Sequence, residues 1–272
     1  MLGKLLKHEF RQSARSVSLI YACAAAVIAF IFVGMLTKIT WIGVVGSIVL
    51  YITALVGVMM TLVSVIKNFY DTLYSNQGYL SFTLPVNCAS LLGSKVIAAI
   101  VWVILSFVLA AVCFLVIAMN AKAVAEGSMA GIWDIIELTG LKEMLPSGAT
   151  LVKLGILFAV SVLLLVFTFV GFVFFAVTMA NTRVLQKHPK LFGFLIFFFT
   201  YGVTNAVGTK LTYSVPLSLE ITTEDVKLAF VAMDQSSGML SYGLAGVLFM
   251  ALVAVGLLLL TGWIMEHKVN IK

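Results

Sequence analysis

Long apolar runs alternate with short polar interruptions along this chain, and the lengths of the runs set the first expectation. Apolar segments fall at about 17–36, 41–66, 96–120, 151–180, 191–211 and 238–265. Each matches or exceeds the roughly 20 residues a helix needs to cross about 30 Å of hydrocarbon. None shows the period of two that an outer-membrane barrel strand carries. The pattern predicts an all-α fold: a polytopic membrane protein with six transmembrane helices, forming one transmembrane domain over 1–272.

The interruptions carry the rest of the expectation. In residues 1–16, Leu2, Leu5, Leu6 and Phe10 recur at helical spacing, with Lys4, Lys7, Arg11 and Arg15 on the other faces. That is the pattern of an amphipathic helix in the headgroup layer, either an elbow that levers the first span or a positive anchor that fixes topology. The longest inward interruption, 67–95, contains Tyr70, Leu73, Tyr74, Tyr79, Leu80, Phe82 and Leu84. So much apolar surface in a polar connection marks a contact with a protein partner or with the inner leaflet. Residues 121–150 read as an outer segment holding a short interfacial helix, and 212–237 as a second, acidic outer segment. The stretch 181–190 reads as a short basic turn.

Composition agrees with lipid as the main solvent. The 272 residues are 62% hydrophobic and 10% charged, with mean hydropathy +1.15; a soluble domain has about 25% charged residues. Six spans put both termini on one side. Placing them in the cytoplasm leaves about 11 basic residues inside against about 6 outside, which is the orientation the positive-inside rule favours. The net charge of +6 is thus a topology signal, and no soluble basic face exists for nucleic acid. No cleavable leader is expected, since Ala22 to Ala26 lies deep in apolar sequence. Cys23, Cys88 and Cys113 have no spacing that suggests a disulfide framework or zinc.

Candidate chemistry is sparse. Every Asp, Glu, Lys and Arg falls in a connection or near a span end, so no ionisable group stands mid-membrane to carry a proton or ion. No catalytic motif is present, and Gly93-Ser94-Lys95 lacks the spacing of a phosphate-binding loop. The chain is therefore expected not to be an enzyme and to hold no cofactor itself, leaving it passive or driven by a partner through 67–95. In the fifth span, Thr200, Tyr201, Thr204 and Asn205 fall at i, i+1, i+4 and i+5, on one side of a helix. Such a stripe lines a translocation path, or it holds helices together.

The 67–95 connection resembles that of the permease subunits of type-2 ATP-binding-cassette exporters. The residues that carry the resemblance are Tyr79-Leu80-Ser81-Phe82-Thr83-Leu84-Pro85, followed by Leu91-Leu92-Gly93-Ser94-Lys95. The basic N-terminal helix and the six spans fit the same family. The resemblance implies a coupling helix over Asp71 to Pro85 that docks in a groove of a cytoplasmic ATPase subunit. Its contacts would come from Asp71, Tyr74, Tyr79, Leu80, Phe82, Leu84 and Pro85, with ATP and magnesium held by that partner. It also implies a second permease subunit, identical or related, with the substrate passing between the two, and short re-entrant or capping helices in 212–237 broken at Pro216. The protein is then expected in a bacterial cell membrane, in contact with lipid and with both termini cytoplasmic. The rival reading is a non-transporting membrane sensor or immunity protein that binds a peptide or partner.

Overall fold

The computed structural model describes residues 2–37, 40–75, 87–126, 148–182, 185, 187–221, 226–229 and 240–267. Six long helices account for most of them: α1 (Leu2–Thr37), α2 (Thr40–Tyr74), α3 (Cys88–Glu126), α4 (Gly148–Ala180), α5 (Pro189–Ser214) and α6 (Leu244–His267). All six are long and apolar enough to cross a membrane. The protein is a multi-pass helical membrane protein.

Their lengths exceed what the apolar runs alone predict. The helices α1 to α4 have 36, 35, 39 and 33 residues. At about 1.5 Å per residue each is roughly 50–58 Å long, well over the hydrocarbon thickness. Helical structure therefore continues into segments read as polar connections. The helix α1 runs from Leu2 without interruption, so the amphipathic N-terminal residues are the first turns of the span helix and not a separate elbow. The helix α2 extends eight residues past 66, through Asn68 and Asp71 to Tyr74. The interfacial helix expected within 121–150, over 131–145, lies outside the described residues.

The segment 212–237 departs from expectation. Beyond the end of α5, Ser218–Ile221 and Val226–Ala229 form strands rather than capping helices. The helix α5 stops at Ser214, where Val215 turns to extended backbone and Pro216 follows. Pro216 has no N–H and biases its predecessor away from the helical region. The strands β1 (Ser218–Ile221), β2 (Val226–Ala229) and β3 (Leu240–Gly243) make an antiparallel sheet in the order β2-β1-β3. Ser218 pairs with Ala229 on one side and Gly243 on the other. The apolar positions Leu219, Ile221, Val226 and Leu228 alternate with Glu220 and Lys227, a period-two pattern. Residues 240–243, expected at the start of the sixth span, belong to β3, and Gly243 is its last residue.

By packing, the chain divides into two compact units. One comprises Leu6–Lys67 and Val101–Met144 and contains most of α1, α2 and α3. Its centre is Ala24, Ile31, Leu50, Ala54, Cys113 and Val116. Close helix approach is built on glycine: a Cβ on Gly46 would lie 2.7 Å from Ile31 Cγ1. Asn120 of α3 donates to Gly43 O and Ser47 Oγ of α2, both at 2.8 Å. Phe10 packs against Trp102 with ring centroids 6.0 Å apart. Outward, Ile48, Ile52, Leu55 and Met59 form an exposed apolar stripe on α2, as a lipid-facing surface requires. Trp41, the second residue of that helix, is 77% exposed, a position suited to a membrane interface.

The other unit comprises Met1–Leu5, Asn68–Ile100 and Leu145–Lys272. Here α4, α5 and α6 pack on one another, with Gly171 against Ala254 and Gly246 against Gly208. The start of α5 has Pro189 in its first turn, where a missing N–H costs nothing. Leu244 N donates to Leu217 O, tying the first residue of α6 to the sheet. On α6, Leu248, Leu252, Val255, Leu259 and Trp263 are exposed in one stripe.

Candidate functional site

The connection between α2 and α3 is carried on two helical stems, and both belong to the unit containing α4, α5 and α6. On the α2 stem, Phe69 and Leu73 are fully buried. The Phe69 ring lies flat on Phe174 of α4, with centroids 3.8 Å apart and planes 10° from parallel. One turn further, the Tyr74 hydroxyl donates to Thr178 Oγ1 of α4 at 2.8 Å. On the α3 stem, Leu91, Leu92, Ser94, Lys95 and Val96 are buried. The Lys95 ammonium, on a residue only 4% exposed, donates to Thr72 Oγ1 at 2.6 Å. The Thr72 hydroxyl donates on to Asn68 O at 2.7 Å.

The two stems are thereby joined to each other by Lys95 and Thr72, and to the end of α4 by an aromatic stack and a hydroxyl pair. A buried charge is tolerated only when hydrogen-bonded, and the hydroxyl of half-buried Tyr74 has its partner in Thr178. The α4 end is itself closed locally: Asn181 donates to Val177 O at 2.7 Å and Thr182 to Met179 O at 2.7 Å. Compared with protein-family models, curated proteins and solved structures, the chain matches none.

Of the residues expected to dock a partner, Asp71 and Tyr74 lie in the last two turns of α2, both half-buried. Tyr74 faces α4 through its hydroxyl. Tyr79, Leu80, Phe82, Leu84 and Pro85 lie outside the described residues. Among the described residues, no group of His, Cys, Asp and Glu could hold a metal ion.

The four polar residues of α5 differ in their surroundings. Thr204 is buried, Thr200 and Tyr201 are half-buried, and Asn205 is exposed. Thr200 bonds back to Ile196 O of its own helix, which leaves its hydroxyl little to offer a ligand. Asn205 Oδ1 accepts from Thr209 at 3.3 Å. Tyr201 stacks on Phe197 with centroids 5.7 Å apart and meets the edge of Phe172 of α4 at 5.8 Å. Tyr201 thus joins an aromatic group shared by α4 and α5, while Asn205 faces outward.

Sequence reasoning missed Lys95, Thr72, Phe174 and Thr178. Lys95 reads as a charge at a span end and as the last residue of the exporter-like motif. No local pattern announces its burial, because that depends on which helix lies beside it.

Proposed function

We propose that this chain is the membrane permease subunit of an ATP-driven exporter of the type-2 ATP-binding-cassette class, drawing its energy from a separate cytoplasmic ATPase. The observation that carries the reading is the sequence Tyr79-Leu80-Ser81-Phe82-Thr83-Leu84-Pro85 in the connection between the second and third of six spans. ATP and magnesium belong to the partner ATPase, and a second permease subunit, identical or related, completes the path. The protein resides in a bacterial cell membrane with both termini cytoplasmic, the side that collects the basic residues.

In this reading the ATPase grips the stretch Asp71 to Pro85, and its closure on ATP moves the ends of α2 and α3. Access then switches from one face or leaflet to the other. The substrate is amphipathic or hydrophobic, because the spans offer aromatic and hydroxyl groups but few charges, and desolvating an unpaired charge is costly. The test is co-expression and co-purification with candidate ATP-binding-cassette ATPase subunits of the source organism. Replacing Tyr79, Leu80 and Phe82 together by Asp is expected to abolish the complex. A complex that survives with full ATPase stimulation overturns the docking assignment.

A further inference from the structure

We propose that Lys95–Thr72 and Tyr74–Thr178 act together as a polar latch that makes α4, and not only the two helices entering the connection, the receiver of its movement. The inference rests on the permease reading for its purpose but not for its geometry.

A connection between two helices would ordinarily pass a displacement along those helices. Here three features redirect it. The stems are cross-linked to each other by the Lys95 ammonium on Thr72 Oγ1. The α2 stem is bonded to α4 by the Tyr74 hydroxyl on Thr178. On the same stem, just before Thr72 and Tyr74, Phe69 lies flat on Phe174, both rings fully buried. Rigid aromatic stacking resists sliding, and the buried Lys95–Thr72 bond resists separation, because parting it strands polar groups away from water. A pull on the connection therefore draws on the last two turns of α4. That helix packs along α5 and α6 through Phe172 on Tyr201 and Gly171 on Ala254. Tyr201, a candidate path residue, lies one ring contact from α4. Lys95 and Thr178 are thus positioning residues for transport, with no role in gripping the ATPase.

The experiment uses the full chain in nanodiscs, alone and with its ATPase. In the chain alone, amide exchange is measured for wild type, Thr178→Val, Thr178→Ser, Tyr74→Phe and the double variant Tyr74→Phe/Thr178→Val. Thr178→Val is isosteric and is expected to speed exchange in 68–74 and 172–181 about tenfold, with 110–120 of α3 unchanged. Thr178→Ser keeps the hydroxyl and restores wild-type protection. The double variant costs no more than either single change, as a mutually bonded pair requires. Unchanged exchange in the singles, or a double effect equal to their sum, overturns the latch.

With the ATPase bound, Thr178→Val and Lys95→Met are expected to retain ATP hydrolysis while substrate moved per ATP falls about tenfold. A fall in hydrolysis and transport in equal proportion overturns the assigned role. Failure of any ATPase to co-purify with wild type defeats the permease reading instead, and the exchange measurements still decide the latch.

Discussion

The two units are both built of apolar helices, yet they are held together by different means. In the unit of Leu6–Lys67 and Val101–Met144, the centre is small and aliphatic, with Ala24, Ile31, Leu50, Ala54, Cys113 and Val116. Glycines let its helices touch, and Asn120 supplies the interhelical polar tie that links α2 to α3. In the unit that holds α4, α5 and α6, paired aromatic rings recur and buried hydrogen bonds gather where the 75–87 connection is rooted. Lipid offers helices little net gain for burying alkyl groups, so close fit and polar ties decide association. The first unit combines fit with the Asn120 tie and the Phe10–Trp102 ring contact. The second adds directional bonds at the place where, on the permease reading, movement enters.

Substitutions graded by size can break or sharpen that contrast, each read as a change in unfolding free energy by thermal or denaturant titration in detergent. Phe174→Ala removes one ring of the buried stack and should cost about 3–5 kcal/mol, the range for deleting a buried aromatic. A loss under about 1 kcal/mol would remove the stack as the unit's anchor. Gly246→Ala comes next. Its Cβ would lie 2.5 Å from Gly208 O, a backbone atom that cannot turn aside, so about 2–3 kcal/mol is expected from overpacking.

The matched change in the other unit, Gly46→Ala, meets the Ile31 side chain instead. Ile31 can shift, so about 1 kcal/mol is expected. Equal costs for the two glycine variants would erase the distinction between rigid and yielding contacts. Asn120→Leu removes the bonds to Gly43 O and Ser47 Oγ and should cost about 0.6–1.7 kcal/mol, the span measured for interhelical hydrogen bonds in membranes. Ile52→Ala, on the exposed stripe of α2, should change stability by less than about 0.5 kcal/mol in either direction. A larger loss would show that this stripe faces protein.

The helical fold and its six spans were legible because apolar run length is a direct physical requirement of the bilayer. Helix ends were not. Asn68 to Tyr74 reads as loop by polarity, but α2 continues there because Phe69 and Leu73 fall one turn apart on a face that packs in the interior. The sheet was missed although Leu219, Ile221, Val226 and Leu228 carry its alternation. Short strands beside acidic residues are easily taken for broken helix when the neighbouring segments are all helical. The candidate site was half legible. Tyr74 could be named from its place in an apolar connection, but its partner Thr178 stands 104 positions away, and nothing local in either neighbourhood predicts the pairing. Tyr201 was legible as a polar aromatic in a span, but its place between Phe197 and Phe172 depends on how α5 is rotated against α4.

The final span follows the ribbon of strands without a spacer: Gly243 ends β3, Leu244 opens α6, and Leu244 N is pinned to Leu217 O. The ribbon is in effect a dial fixed to a shaft. Any roll of α6 about its own axis, or any piston motion through the bilayer, must turn or lift the dial with it. A spin label or fluorophore seated on these strands would therefore report the attitude of α6, and a binder clamped there would act as a brake.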